Sequence, residues 1–160
     1  LCSVGVTMTT IRAGIADSSR QSAQFAARKH IGQTRRDKTT PYVVHLARVA
    51  ARVAKYGSDY EDAAWLHDTI EDTDTTAREL MAAGFSRATV EAVVLLTKLK
   101  TSGTPFSISY YLEKIRDNDI ARQVKIADMI DNLADSPTDE QFHRYIRGIS
   151  YLAGHSNQPE

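Results

Sequence analysis

The strongest constraint on the fold is the helical spacing of apolar residues, which recurs between helix start and stop signals along the chain. Gly32, Gly57 and Gly84 each follow a segment of this kind and are typical helix breakers. No segment shows the alternating pattern that is typical of a half-buried strand. The patterns predict an all-α fold of about eight helices, at residues 18–30, 41–56, 58–72, 76–83, 88–100, 107–116, 120–133 and 138–152.

Capping residues support several of these boundaries. Thr40 is a predicted N-cap, with Pro41 at the first helical position. Ser58 and Thr76 each precede a Glu by three residues, which is capping-box spacing, and Ser86 is a further predicted N-cap. These signals favour an irregular bundle of short helices over a few long ones.

The amino-acid composition limits the kinds of molecule that we expect this protein to bind. The chain has 160 residues, 42% hydrophobic and 25% charged, which suits one globular domain. Lys and Arg balance Asp and Glu to a net charge of zero, so we expect neither nucleic acid nor an anionic membrane as a partner. The apolar run at 90–96 is far shorter than the roughly 20 residues of a membrane span.

The single cysteine, Cys2, excludes a cysteine-based zinc site and fits a reducing compartment, so we expect a cytoplasmic protein. We place the domain at 8–155, with Met8 as a possible start. Residues 1–7 and 156–160 are predicted to be flexible termini. The oligomeric state is left open.

Polar groups with metal-ligand chemistry gather on one face of the predicted helix 58–72, opposite an apolar stripe. Asp68 and Asp72 stand four residues apart, where like charges repel, near a helix C-terminus that disfavours anions. A bound divalent cation would compensate them. The acidic face consists of His67, Asp68, Glu71 and Asp72.

Two other helices offer further ligands. In 120–133, apolar spacing predicts a core face of Ile126, Met129, Ile130 and Leu133 and an opposite polar face of Asp128, Asp131, Asn132 and Asp135. His45 lies at the edge of an apolar stripe in 41–56. Together His45, His67, Asp68 and Asp128 form a nitrogen and oxygen set that suits manganese, iron or zinc rather than calcium. A solvated acidic helix end and a core histidine are the alternative interpretations.

The ordered motifs resemble the metal-dependent HD-domain phosphohydrolases, and within them the RelA/SpoT-type alarmone hydrolases, especially the small stand-alone ones. HDTIEDT at 67–73, with PYVVH upstream and KIADMIDN downstream, is a specific combination. The resemblance covers most of the chain, through AARKHIGQTRRDKTTPYVVHLARVA, AAWLHDTIEDT, LTKLK, YLEKI and VKIADMIDNLAD.

This resemblance implies an HD-domain fold with one Mn²⁺ ion, replaceable by other divalent metals, bound by His45, His67, Asp68 and Asp128. It further implies that Glu71 and Asp72 are the catalytic pair. The implied reaction removes pyrophosphate from the ribose 3′ position of guanosine tetra- or pentaphosphate and gives GDP or GTP. Which of Glu71 and Asp72 moves the proton is left open.

The resemblance also points to substrate contacts in the basic segment that follows the first helix. It places Arg35 beside the base, and we expect Arg36, Lys38 and Asn132 to contact the same guanine nucleotide. Leu46 stands where the family often has Pro, and the loop before Pro41 lacks the family's Gly. These departures affect base recognition more than metal binding.

The sequence leaves two alternatives to alarmone hydrolysis. One is an HD phosphohydrolase of another nucleotide, such as an adenine alarmone or a dinucleotide phosphate. The other is a non-catalytic nucleotide-binding or antitoxin-like partner, which would have no need of Glu71 and Asp72.

Overall fold

The computed structural model describes residues 21–98 and 107–154, and this part of the chain is an irregular bundle of helices. Helix α1 is described over 21–29. The others follow in chain order: α2 Tyr42–Val53, a 3₁₀ turn Ala54–Tyr56, α3 Ser58–Leu66, α4 Thr69–Asp72, α5 Ala77–Ala82, α6 Arg87–Leu96, α7 Ile108–Arg116, α8 Asp119–Leu133 and α9 Asp139–Ala153.

The prediction of an all-α fold is confirmed. In the described ranges the only extended pairing is an isolated bridge between Thr34 and Pro41. Within the same ranges, no helix combines the length and the apolar content that a bilayer span requires. The predicted termini 1–7 and 156–160, Cys2, and residue 155 at the end of the predicted domain lie outside the described residues, as do parts of the predicted helices 18–30 and 88–100.

Helix α8 lies at the centre of the bundle and packs against α2, α3, α6, α7 and α9. Buried aliphatic side chains fill the space between these helices, as their helical spacing predicts. At one end Phe25 of α1 packs edge-on against Phe85, with ring centroids 5.7 Å apart. The core includes Leu46, Val49, Val53, Leu66, Leu80, Val93, Ile115, Val124 and Leu152, each at most 1% exposed.

Several helices begin at a side-chain cap. Thr76 and Ser86 cap α5 and α6 as predicted, each accepting a hydrogen bond from the backbone N–H three residues later. Ser107, Asn118 and Thr138 do the same for α7, α8 and α9. Side-chain capping thus determines where helices α5 to α9 begin.

The predicted caps Thr40 and Ser58 are wrong. Pro41 occupies the N-cap position of α2, because its pairing with Thr34 keeps it extended, and the Thr40 hydroxyl donates to Asp37 instead. Gly57 precedes α3, and Ser58 is its first helical residue. Gly57 has a φ of 129°, a conformation that glycine adopts without strain.

The predicted helix 58–72 is two helices, which meet at His67 and Asp68. The imidazole of His67 donates to the carbonyl of Ala64, and the hydroxyl of Thr69 donates to the carbonyl of Leu66. Side-chain donors of this kind compete with the regular backbone ladder. The break turns both His67 and Asp68 toward α2 and α8.

Helix α6 also ends earlier than predicted, at Leu96. Thr97 is extended, and the backbone N–H of Lys98 donates to the Glu71 carboxylate at 3.0 Å. The chain therefore leaves the helix where it can reach the end of α4.

Candidate metal centre and nucleotide cavity

Three helical elements bring His45, His67 and Asp128 together. A ligand atom of each lies within 4.8 Å of the other two, and all three residues are buried. Oδ1 of Asp128 is 3.2 Å from Nε2 of His45 and 3.8 Å from Nε2 of His67. This group can hold a metal ion.

Asp68, the fourth predicted ligand, lies beside both histidines. Its Oδ2 is 2.9 Å from Nε2 of His67 and 3.9 Å from Nε2 of His45. The hydroxyl of Tyr42 donates to this oxygen at 2.6 Å. Burial of Tyr42 and the charge of Asp68 raise the pKa of that phenol, so Tyr42 stays a donor.

Both histidines present Nε2 to the same space. Nδ1–H of His45 donates to Asp131 at 2.8 Å, and Nδ1–H of His67 donates to the carbonyl of Ala64 at 2.7 Å. Among the described residues, neither Nε2 has a hydrogen-bond partner, although both atoms are buried. Two orphaned imidazole nitrogens facing two carboxylates fit a divalent transition-metal ion.

The charges at this point are strongly coupled. Burial alone would lower the pKa of His67, but Asp68 and Asp128 outweigh it and raise the pKa to about 10. Burial opposes ionisation of Asp68, and the neighbouring His67 nevertheless holds its pKa below the usual range. The opposite pKa shifts of His67 and Asp68 thus come mainly from the attraction between the imidazole and the two carboxylates.

Asp128 has two further partners on its own helix. Lys125 Nζ lies 2.7 Å from Oδ2, and the amide of Asn132 donates to Oδ1 at 2.6 Å. Lys125 is the main charge that holds the pKa of Asp128 well below its usual range against the effect of burial. The side chain of Asp128 is therefore fixed and negatively charged.

Glu71 and Asp72 lie at the end of α4, next to this centre. Glu71 is anchored, because Lys98 donates to it from both Nζ and the backbone N–H. Asp72 is exposed, and partial desolvation together with Asp68 and Glu71 raises its pKa. The Glu71 carboxylate is thus held in place, and the Asp72 carboxylate is suited to accept a proton.

A cavity of about 490 Å³ opens over the centre and is lined by Asp68, Glu71, Asp72 and Asp128 on one side. Lys98, Lys125 and Arg144 add positive charge, and Ile108, Leu112 and Met129 add apolar surface. The size and the mixed lining suit a nucleotide. The sequence analysis did not assign these three cations to the site. Lys98 and Lys125 lie in the LTKLK and VKIADMIDNLAD motifs, whereas Arg144 lies on α9, which carries no motif.

The predicted substrate residues divide into two groups. Asn132 lines the cavity. Arg35, Arg36 and Lys38 do not line it, and their substrate contacts stay a prediction. Arg35 donates to Asn132 at 2.8 Å and pairs with Asp135 at 2.7 Å, with its guanidinium over the Tyr42 ring.

Arg36 donates to the hydroxyl of Tyr145 at 3.0 Å, and Tyr145 itself lines the cavity. Lys38 is exposed and has a positive φ of 61°. The basic loop is therefore tied to α8 and α9 at the rim of the cavity.

The predicted core face of α8 is wrong in part. Met129 is buried, but Ile130 is 38% exposed, whereas Asp128 and Asp131 are 5% and 2% exposed. The two carboxylates are buried because Lys125 and His45 pair with them. The polar face of this helix points into the site.

Comparisons with known proteins identify relatives of this chain. No protein-family model matches the sequence. The guanosine-3′,5′-bis(diphosphate) 3′-pyrophosphohydrolase MESH1 of Mus musculus is 36% identical over 135 residues, which are 78% of this chain and 74% of the mouse protein. A solved structure described as a metazoan ortholog of SpoT that hydrolyzes ppGpp is 25% identical, with a TM-score of 0.69, over 86% of this chain and 84% of that one.

Other relatives match over shorter stretches. The guanosine-3′,5′-bis(diphosphate) 3′-pyrophosphohydrolase of Aquifex aeolicus is 39% identical over 89 residues, which are 53% of this chain but 13% of that protein. Human MESH1 is 47% identical over 66 residues, or 38% of this chain and 36% of the human protein. The chain thus spans well under two thirds of these two relatives.

The fold is that of an HD-domain phosphohydrolase, and its histidine and aspartate cluster can hold a metal ion. The chain belongs to the family of guanosine-3′,5′-bis(diphosphate) 3′-pyrophosphohydrolases.

Proposed function

We propose that this protein is a manganese-dependent hydrolase of the 3′-pyrophosphate of guanosine tetra- and pentaphosphate, with GDP or GTP and pyrophosphate as products. The observation that carries the proposal is the convergence of two orphaned histidine nitrogens and Asp128 beside the Glu71–Asp72 pair. The named activity of the relatives supports the choice of substrate.

In this proposal His45, His67, Asp68 and Asp128 hold one Mn²⁺ ion. The donor set of two imidazoles and two carboxylates is borderline in softness and suits manganese as well as iron or zinc. When bound, the ion supplies Lewis-acid polarisation of the phosphoryl group and makes water more acidic.

The chain's own residues provide orientation and proton transfer. The Asp72 carboxylate accepts the proton of the attacking water, because its raised pKa brings its basicity nearer to neutral pH. Glu71, anchored by Lys98, orients that water. Buried Lys125 keeps Asp128 ionised throughout.

The remaining cavity residues bind the nucleotide. Arg144 offers charge to phosphate oxygens, and Asn132 offers an amide to the ribose or a phosphate. Arg35, Arg36 and Lys38 at the rim contact the substrate from the basic loop. We propose a cytoplasmic location, since the substrate is a small nucleotide, and no macromolecular partner is needed for the reaction.

A substrate panel tests the proposal against its two alternatives. Guanosine tetraphosphate, its adenine analogue and a dinucleotide polyphosphate are each incubated with the Mn²⁺-loaded protein, and the products are separated by anion-exchange chromatography. We expect GDP and pyrophosphate from the first compound at a kcat/KM well above the other two. Preference for another nucleotide would favour the related phosphohydrolase, and binding without turnover would favour the silent module.

A further inference from the structure

Asp131 lies behind His45, on the side of the imidazole that faces away from the candidate metal. Its Oδ2 accepts a hydrogen bond from Nδ1–H of His45 at 2.8 Å, while Nε2 of the same ring lies 3.2 Å from Oδ1 of Asp128. The two aspartates are three residues apart on α8. One helix therefore places carboxylates on both sides of one imidazole.

The burial of Asp131 requires an explanation. Its side chain is 2% exposed, and a buried carboxylate is costly unless it is paired. Among the described residues, Asp131 also faces Arg52 of α2, whose guanidinium is 3.9 Å from Oδ1 and whose side chain is 43% exposed. His45 is thus the close partner of this carboxylate.

The two histidines of the centre differ in this respect. His67 donates to a backbone carbonyl, whereas His45 donates to a full negative charge. A carboxylate behind a metal-binding imidazole fixes the tautomer with the proton on Nδ1, aims the Nε2 lone pair and makes the ring a stronger donor.

We propose that Asp131 is a positioning residue for the metal centre, which fixes the orientation and tautomer of His45 and strengthens its bond to the ion. This role rests on the metal site of the proposed function. Asp131, which is not one of the four proposed ligands, would thus contribute to the affinity of the site for the metal ion.

Metal affinity is the first test. The dissociation constant of Mn²⁺ is measured by competition with a fluorescent chelator for the wild type, Asp131→Asn and Asp131→Ala. We expect the affinity to fall by about 10- to 100-fold in both variants. Asp119→Asn is the matched control, because Asp119 is on the same helix but pairs with Tyr60 and Arg122, away from the site.

The tautomer of metal-free His45 is a second readout, which a purely structural role of Asp131 would not move. In ¹⁵N-labelled, metal-free protein, long-range ¹H–¹⁵N spectra should show the proton of neutral His45 on Nδ1 in the wild type and a larger share of it on Nε2 in Asp131→Ala. The same tautomer in the wild type and Asp131→Ala, or affinities within twofold of wild type in both folded Asp131 variants, would overturn the role of Asp131. Failure of the wild type to bind Mn²⁺ or Zn²⁺ would instead overturn the metal site itself.

Discussion

Lys98 binds Glu71 through both its side chain and its backbone: Nζ lies 2.9 Å from Oε1, and the backbone nitrogen lies 3.0 Å from Oε2. The contact joins the end of α6 to the end of α4. It also explains why α6 stops at Leu96, since a longer helix would carry the Lys98 N–H away from Glu71.

Lys98→Met removes the side-chain half of this anchor. We expect kcat to fall by about 10- to 100-fold, because a loosened carboxylate no longer orients the attacking water, while the bound metal stays equal to that of the wild type. Steady-state kinetics with metal analysis checks this. Lys114→Met, on α7 where Nζ lies over the Tyr110 ring, is the control, and an equal loss in both variants would contradict the anchoring role.

Asp72→Asn keeps the shape of the side chain and removes its ability to accept a proton. We expect wild-type folding and metal content with a loss of about 10²- to 10⁴-fold in turnover, the usual contribution of general acid–base catalysis. Asp74→Asn is the matched control, because Asp74 is two residues further on, 89% exposed and paired with Lys29. Full activity of Asp72→Asn would show that another group carries the proton.

Asp128→Ala removes a candidate ligand and leaves Lys125 buried without its close partner. The side chains of Lys125 and Asp128 are 12% and 7% exposed, so we expect the metal-free variant to lose about 3–5 kcal/mol of unfolding free energy. Denaturant unfolding measures that loss, and elemental analysis of the purified protein measures metal content, which we expect to be lost.

A double variant separates these two effects. Adding Lys125→Met to Asp128→Ala removes the unpaired charge, so we expect most of the stability to return while metal binding stays absent. Wild-type metal content in either variant would show that Asp128 is not a ligand.

Gly148 sets the approach of α9 to α8. A Cβ at this position would lie 2.8 Å from Sδ of Met129 and 3.6 Å from Cδ1 of Leu112, so the buried Met129 side chain would have to shift. Overpacking costs about 1–3 kcal/mol and the change from Gly to Ala inside a helix returns about 1 kcal/mol, so Gly148→Ala should destabilise the protein by at most about 2 kcal/mol. Gly154→Ala is the control, because its nearest neighbour is the carbonyl of Ser150 at 3.4 Å. Thermal unfolding of both variants checks the difference, and equal melting temperatures would contradict close packing here.

The sequence predicted some of the features that local chemistry determines, although the predicted caps Thr40 and Ser58 were wrong. Thr76 and Ser86 cap their helices because a short polar side chain suffices. The positions of His67 and Asp68 beside His45 followed from a resemblance in motif order, and the structure brings these residues together. The order of the motifs thus predicted which of these side chains lie close together.

Long-range pairing accounts for what the sequence did not reveal. The apolar pattern of α8 predicted that Ile130 is inside and Asp131 outside, but partners on the same and other helices reversed that order. Arg35 pairs with a residue 100 positions away. The break at His67 depends on two side chains, His67 and Thr69, that donate to backbone carbonyls. The spacing of apolar residues carries no information about such hydrogen bonds.

The most direct test of the account is pyrophosphate release from guanosine tetraphosphate by metal-stripped protein, with the label on the 3′-terminal phosphate. We expect no release of pyrophosphate without metal. When Mn²⁺ is added, we expect release of labelled pyrophosphate with GDP as the co-product. Labelled orthophosphate as the product, or release at the same rate with and without Mn²⁺, would contradict it.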